Sequence, residues 1–310
     1  AHNNLGKMLQ SLGRTDEANK ALETHRQIQA QKAGAGADTS IYERCLYTQA
    51  RVPFQLEQPA ANGAKVIFAE ATPKAFGAEG QNWHGPIGVI DINHRGLNDL
   101  FVTEGDGAFR LLINSNGTFR AQGEPLPGIP GAHYTRCLVG DLNNDRFEDV
   151  IVVGDKGVAA FRFATNGAAT DATVFANLKT AAGIDGALAD LDFSGKLDLL
   201  LVTPGTNGVR VLRNLGNMYF KDITATSGVP ASLTSARQLA VDDWNNDDIM
   251  DLFVAREGQG PLLLTKLRGG TLSETNAPAN WPPGTTLVVG DLNNDLRNDL
   301  VIAAAGSLEV

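Results

Sequence analysis

Cysteine, histidine, aromatic residues and positive charge are all in short supply along these 310 residues, and each shortage narrows the choice of function. The two cysteines, Cys45 and Cys137, allow at most one disulfide, which an oxidising compartment would permit. Cys137 reads equally well as a small buried residue on an inner strand. The five histidines, His2, His25, His84, His94 and His133, show no metal-protease spacing. There is also no nucleophile elbow and no phosphate-binding glycine loop, so no catalytic residue is assigned. His84, with Trp83 and Gly85-Pro86, either lines a funnel or serves as a packing and turn residue. Lysine and arginine total 26 against 35 acids, a net charge of -9 with much of the acid in loops and no basic patch, which disfavours nucleic acid as a partner. No apolar run reaches the roughly eighteen residues that a membrane-spanning helix requires, so membrane insertion is not expected.

What is abundant is glycine, 34 residues beside only 6% aromatics, a composition of turn-rich β-proteins. It is arranged around a repeat. Asp-x-Asn/Asp followed by a ninth-position Asp and a run of apolar residues occurs at Asp91 to Asp99, Asp141 to Asp149, Asp190 to Asp198, Asp243 to Asp251 and Asp291 to Asp299. The starting aspartates are 50, 49, 53 and 48 residues apart, a period that signals a stacked or radial array.

Each unit predicts a short all-β module. Ile87-Gly88-Val89-Ile90 and Cys137-Leu138-Val139-Gly140 precede their motifs as strands, and unbroken apolar runs such as Val150-Ile151-Val152-Val153 and Leu199-Leu200-Leu201-Val202 follow as strands covered on both faces. A second hairpin follows, clearest over Phe109 to Phe119, where Asn116-Gly117 is a type I′ turn signal. About four strands per fifty residues predicts a propeller blade, with a β-solenoid of shorter repeats as the competing arrangement. Gly140, Ala189 and Gly290 would then be small because first strands crowd the axis.

Oxygen ligands at positions 1, 3, 5 and 9, with the carbonyl of position 7, suit a hard cation such as calcium. The second loop offers Asp141, Asn143, Asp145, the Phe147 carbonyl and Asp149. The fourth offers Asp243, Asn245, Asp247, the Ile249 carbonyl and Asp251, and the fifth Asp291, Asn293, Asp295, the Arg297 carbonyl and Asp299. In the third, Asp190, Asp192, the Lys196 carbonyl and Asp198 stand with the weaker ligand Ser194, and Gly195 at position 6 eases the turn. The first is degenerate: Asp91, Asn93 and Asp99 surround Arg95, which cannot coordinate a cation and is expected to pair with Asp91 or Asp99 in its place. The alternative throughout is that Asp and Asn merely cap tight turns. Against it, converging carboxylates repel one another unless a cation or donors lie among them. Arg146, Asp248 and Leu296 at position 6, where glycine is easiest, argue for weaker sites.

Strings such as Asp141-Leu142-Asn143-Asn144-Asp145-Arg146-Phe147-Glu148-Asp149-Val150, with Val211-Leu212-Arg213-Asn214 and Phe220-Lys221-Asp222-Ile223-Thr224, resemble the FG-GAP/VCBS repeats of bacterial propellers, related to the integrin α-chain propeller. The resemblance covers residues 65–310. It implies a propeller with structural calcium in the loops, and it leaves activity open, since such propellers serve as adhesion modules, receptor ectodomains and parts of enzymes.

The N-terminal residues differ. Leu5, Gly6, Leu9, Gly13, Ala18 and Leu22 fall at tetratricopeptide spacings, with Gly13-Arg14 as the turn and Thr15-Asp16-Glu17 opening a second helix. A generic helical hairpin is the plainer alternative. The expected organisation is therefore a TPR-like hairpin over 1–33, a linker over 34–64 and a propeller over 65–310. Lys65 to Thr72 is expected to be the outer strand of a preceding blade. With four blades and two part-blades visible, the expectation is a mainly β, roughly seven-bladed propeller that is incomplete here or completed by a partner. The corresponding function is a non-enzymatic interaction or adhesion scaffold, stabilised by calcium and binding a protein or glycan outside the cytoplasm, at the cell surface or in the periplasm. Two alternatives stay open: the propeller of a carbohydrate-active or other hydrolytic enzyme, and an assembly subunit that associates with copies of itself or other subunits.

Overall fold

The computed structural model describes residues 9, 14–32, 69–77, 83–164, 166–203, 208–231, 233–245, 249–266, 271–275, 277, 281–292, 297–304 and 307–309. The chain divides into two compact units, Ala1–Ala69 and Glu70–Val310.

In the first unit one helix is described, α1 (Thr15–Lys32), with Asp16 and Glu17 in its first turn, where they complement the helix dipole. Arg14 clamps the same turn through Glu17 Oε1 at 2.7 Å. Ala18 is fully buried and packs with Leu9. Of the expected two-helix hairpin only the second helix is described, because the first half, apart from Leu9, falls outside the described residues. The linker and Cys45 lie outside them as well.

The second unit opens differently from expectation. Residues 65–68 are outside the described set, Ala69 to Ala71 form no strand, and Thr72 begins α2 (Thr72–Phe76). Pro73 explains the change: its fixed φ suits a first helical turn and its missing N–H costs nothing there. Phe76 stacks on Phe119 at 4.9 Å and meets Trp83 edge-on at the same distance.

Five antiparallel sheets follow, each built in chain order. They are β1 (Gly88–Ile90), β2 (Asp99–Thr103), β3 (Phe109–Ser115) and β4 (Thr118–Leu126); β5 (Tyr134–Gly140), β6 (Asp149–Gly154), β7 (Gly157–Phe163) and β8 (Ala169–Asp171); β9 (Asp185–Ala189), β10 (Asp198–Thr203), β11 (Gly208–Asn214) and β12 (Phe220–Asp222); β13 (Ala236–Asp242), β14 (Asp251–Arg256), β15 (Gln259–Lys266) and β16 (Leu272–Thr275); and the three-stranded β17 (Thr286–Gly290), β18 (Asp299–Ala304) and β19 (Ser307–Glu309). The register repeats: Ile90 pairs with Asp99, Gly140 with Asp149, Ala189 with Asp198, Asp242 with Asp251 and Gly290 with Asp299. Each acidic motif is therefore the loop of a hairpin whose second strand starts at the ninth-position aspartate. Asn116 and Gly117, at φ 53° and 83°, form the anticipated primed turn between β3 and β4.

The unbroken apolar runs are explained by two-sided burial. Along β6, Val150 and Val152 pack, with Phe161 of β7, towards Phe101 and Phe109 of the first sheet, whereas Ile151 and Val153 pack towards the third with Leu199 and Leu201. Along β10, Leu200 and Val202 turn to the fourth sheet with Leu252 and Val254. Side chains of opposite parity thus serve opposite neighbours, and each such buried Val or Leu contributes roughly 1.5 to 3 kcal/mol.

The first strands share a cavity of about 770 Å³, lined among others by Ile87, Arg136, Leu188, Gln238 and Val288. Two side chains tie these strands together: Asp185 Oδ2 accepts the Leu239 amide and Gln238 Oε1 accepts that of Leu287, both at 2.8 Å. Cys137, also on this wall, is a free thiol that burial pushes up to about 12. Crowding explains Gly140, whose added Cβ would lie 2.7 Å from Leu197 Cδ1, but not Gly290, which has no described atom within 4 Å of that point. His84 lines a separate cavity of about 380 Å³ with His133 and Glu104, away from the cavity of the first strands.

Candidate metal loops

The first three loops share one internal scaffold. At position 1, Asp91, Asp141 and Asp190 each accept two backbone amides, from positions 5 and 6, at 2.8 to 3.1 Å. Such a carboxylate can cap only a chain that turns sharply beneath it. His94, Asn144 and Phe193 at position 4 accordingly take φ of 53° to 62°, and Gly96, Arg146 and Gly195 at position 6 take 73° to 77°. At position 3, Asn143 Oδ1 and Asp192 Oδ1 accept the position 5 amide, at 2.8 and 3.2 Å.

The ninth-position aspartate has another task. Asp99, Asp149, Asp198 and Asp251 are all buried, and Oδ1 of each accepts an amide at the end of the third strand, from Asn114 (one residue before the end), Phe163, Asn214 and Lys266 respectively. The other oxygen of Asp149 and of Asp299 reaches back to the position 2 amide, of Leu142 and Leu292. Burial pushes Asp149 up to about 7, although both amides favour its charged form, and it pushes Asp198 up to about 6. Burial acts the same way on Asp192 but is outweighed: the Ser194 hydroxyl and Arg213 hold that carboxyl below the usual range.

Neighbouring loops are joined to one another. Glu148 Oε2 accepts the Asp91 amide at 2.9 Å, Asn144 Nδ2 donates to the Gly195 carbonyl at 2.7 Å, and Asn298 Nδ2 donates to Asp242 Oδ1 and the Asp243 carbonyl. His94 stacks on Phe147 at 4.7 Å. Asn214, from the third sheet, donates to the Leu142 carbonyl of the second loop at 2.8 Å.

The expected ligand sets fare as follows. Asp141, Asn143, Asp145, Phe147 and Asp149 are gathered in one loop, as are Asp190, Asp192, Ser194, Lys196 and Asp198. Asp243, Asn245, Ile249 and Asp251 are described but Asp247 is not, and Asp291, Arg297 and Asp299 are described but Asn293 and Asp295 are not. The second loop fits a hard cation in the kind and order of its donors, since an amide-bonded carboxylate keeps further lone pairs for a metal. As positioned, however, no three His, Cys, Asp or Glu side chains among the described residues converge at metal-binding geometry. In the first loop Arg95 donates to Asn93 Oδ1 and, through Nη2, to Asp99 Oδ1 at 3.1 Å and the Asn114 carbonyl at 3.2 Å. Of the two carboxylates expected as its ion-pair partner, it takes Asp99. Sequence reasoning missed Glu148, Asn214, Lys266 and Asn298; the only signal was the recurrence of a strand end 14 to 16 residues after each ninth-position aspartate.

The repeats match the FG-GAP-like repeat model over residues 91–152, 141–201 and 190–254, each match running from one motif through the second strand of the next unit. Together these spans cover more than half of the chain. The chain belongs to the FG-GAP-like repeat family. Among curated proteins none matches it. Solved structures similar to this FG-GAP-like chain include an Agrocybe aegerita lectin that recognises non-reducing terminal N-acetylglucosamine, at 20% identity over 69% of this chain and 59% of that one, with a TM-score of 0.48. The V. cholerae biofilm matrix protein Bap1 is 19% identical over 73% of this chain and 36% of its own, with a TM-score of 0.42. The BP39L lectin of Burkholderia pseudomallei is 16% identical over 61% and 54%, with a TM-score of 0.43. The chain therefore spans less than two thirds of each of these proteins. Among the described residues no helix is long and apolar enough to cross a membrane.

Proposed function

We propose that this FG-GAP-like chain is a non-enzymatic interaction scaffold, a calcium-stiffened β-propeller of about seven blades carried with a TPR-like helical hairpin. It would offer its surface to a protein or glycan partner outside the cytoplasm. The observation that carries this proposal is the use made of the repeated acids: position 1 and position 9 carboxylates are bonded to backbone amides of turns and strand ends. Acids so engaged shape loops, whereas a general acid or base must be open to a substrate proton. The shared cavity of the first strands and the face-to-face packing of successive sheets support the radial arrangement. Exposed Val174, Phe175, Leu215 and Tyr219 supply apolar and aromatic surface of the kind that binding faces use.

Calcium would sit in the second loop among Asp141, Asn143, Asp145, the Phe147 carbonyl and Asp149, and in the fourth and fifth loops through the corresponding residues. Its contribution would be structural: it neutralises carboxylates that otherwise repel. A ligand confined to the folded state adds about 2.7 kcal/mol per site at a hundred times its dissociation constant. Loops of modest affinity fit surroundings where calcium is about millimolar, hence the extracellular or periplasmic assignment. Unfolding midpoints in calcium and in excess chelator, with bound ions counted by native mass spectrometry, test this. A fall of many degrees in chelator, with the count lowered by Asp145→Asn, is expected. Equal midpoints and no bound ion would remove calcium from the proposal and leave the aspartates as turn caps.

A further inference from the structure

The third loop is unlike the second in what lies over it. Lys266, the last residue of β15 in the following sheet, is 6% exposed, and its Nζ is buried without a hydrogen-bond partner. The ammonium lies 4.0 Å from the ring centroid of Phe193, the position 4 residue of the third loop. Asp190, Asp192 and Asp198 all act on it electrostatically and favour its charged form, opposing a burial that disfavours it. Arg213 adds positive charge from the loop's own sheet, with Nε 3.5 Å from Asp192 Oδ2. An ammonium taken out of water is costly unless negative charge offsets it, and here that charge comes, from beyond ion-pair distance, from three of the side chains expected to hold a metal.

We propose that Lys266, held over Phe193, is the built-in cation of the third loop and supplies the positive charge that a divalent ion would otherwise bring to Asp190, Asp192 and Asp198, so that the native loop excludes calcium and admits it once the lysine charge is removed. The exclusion half rests on the reading of these loops as calcium sites; the charge-balancing half does not. The donor set agrees, because position 5 is Ser194, where the other loops assigned to metal have Asp145, Asp247 and Asp295. The first loop solves the same problem from within: Arg95 spans Asn93 and Asp99. In the third loop the cation arrives from the next sheet, so it also locks two sheets together.

Two experiments separate the halves. In metal-free buffer, unfolding of the wild type, Lys266→Met, Asp192→Asn and the double variant forms a cycle. The expected result is that Lys266→Met lowers the midpoint and that adding Asp192→Asn costs clearly less than it does in the wild type; additive effects would overturn the charge-balancing role. Then calcium is counted per chain by native mass spectrometry. Lys266→Met should hold one more ion than the wild type, and Asp192→Asn alone should leave the wild-type count unchanged. A wild-type count that falls by one on Asp192→Asn would show the third loop already occupied and overturn the exclusion. So would a failure of both Lys266→Met and Lys266→Gln to gain an ion while Asp145→Asn lowers the count. If no variant binds any ion, the calcium proposal for all the loops fails, and the cycle alone decides the role of the lysine.

Discussion

Arg146 occupies the same left-handed conformation, φ 77°, that Gly96 and Gly195 occupy at 73° and 75°. A side chain there is strained by roughly 1 to 2 kcal/mol, and the conformation persists because Asp141 Oδ2 holds the Arg146 amide at 2.8 Å. Glycine removes that strain but adds freedom to the unfolded chain, worth about 0.4 to 1 kcal/mol in the opposite direction. Arg146→Gly is therefore expected to stabilise the protein by about 0.5 to 1 kcal/mol in metal-free denaturant titrations; a loss of stability would mean that the arginine side chain itself holds the loop. The same residue shows why the absence of glycine at position 6 says little about the turn. What the turn demands is set by the position 1 carboxylate, which is present in every copy.

At the scale of the element, one carboxylate joins three pieces of chain. Asp149 starts β6, accepts the Leu142 amide of its own loop and accepts the Phe163 amide that ends β7. Because burial raises it from 3.8 to about 7, the folded state holds its proton more tightly than the unfolded state does. Its contribution is thus fully present below the unfolded value and is lost as pH rises through about 7. In metal-free buffer this group makes the protein more stable as pH falls from 8 towards 4, by about 3 kcal/mol in total. Calcium in the loop would reverse the preference, since it requires the ionised form, and would bind more weakly as pH falls through about 7. Unfolding midpoints across that range, for the wild type and Asp149→Asn, provide the check: the pH dependence assigned to this group should disappear in the variant, and an unchanged dependence would remove Asp149 as its source. The hairpin loops and the doubly covered second strands were legible because position 1 oxygens and two-sided apolar runs leave a side-chain signature. The closing bond to the third strand was not, since Asn114, Phe163, Asn214 and Lys266 contribute it through a backbone amide that any residue but proline supplies. Of the segment Lys65 to Thr72, expected as a strand, residues 65–68 lie outside the described residues, Ala69 to Ala71 form no strand, and Thr72-Pro73 is a helix start.

At the scale of the whole unit, the sheets follow one another as neighbours, and the first loop is tied to the second, the second to the third and the fourth to the fifth. Glu148 of the second loop accepts the Asp91 amide of the first, Asn144 reaches the third, and Asn298 of the fifth holds the fourth. None of these ties was legible in the sequence, because they join positions about fifty residues apart and use residue types that differ from copy to copy. Their arrangement makes stability a matter of each sheet and its immediate neighbours, as in other repeat proteins. Glu148→Ala isolates one tie. The Asp91 amide loses its acceptor, at a cost of about 1 to 2 kcal/mol, while the hairpin that carried Glu148 keeps its bonds through Asp141 and Asp149. Hydrogen exchange should therefore accelerate at Asp91 and across the first loop, with protection of β6 and of the third loop unchanged. If exchange instead rises in the second loop and spares the first, the glutamate orders its own hairpin and the tie contributes nothing. If it rises equally along all five sheets, the unit opens as a single cooperative body and stability is not shared out between neighbours.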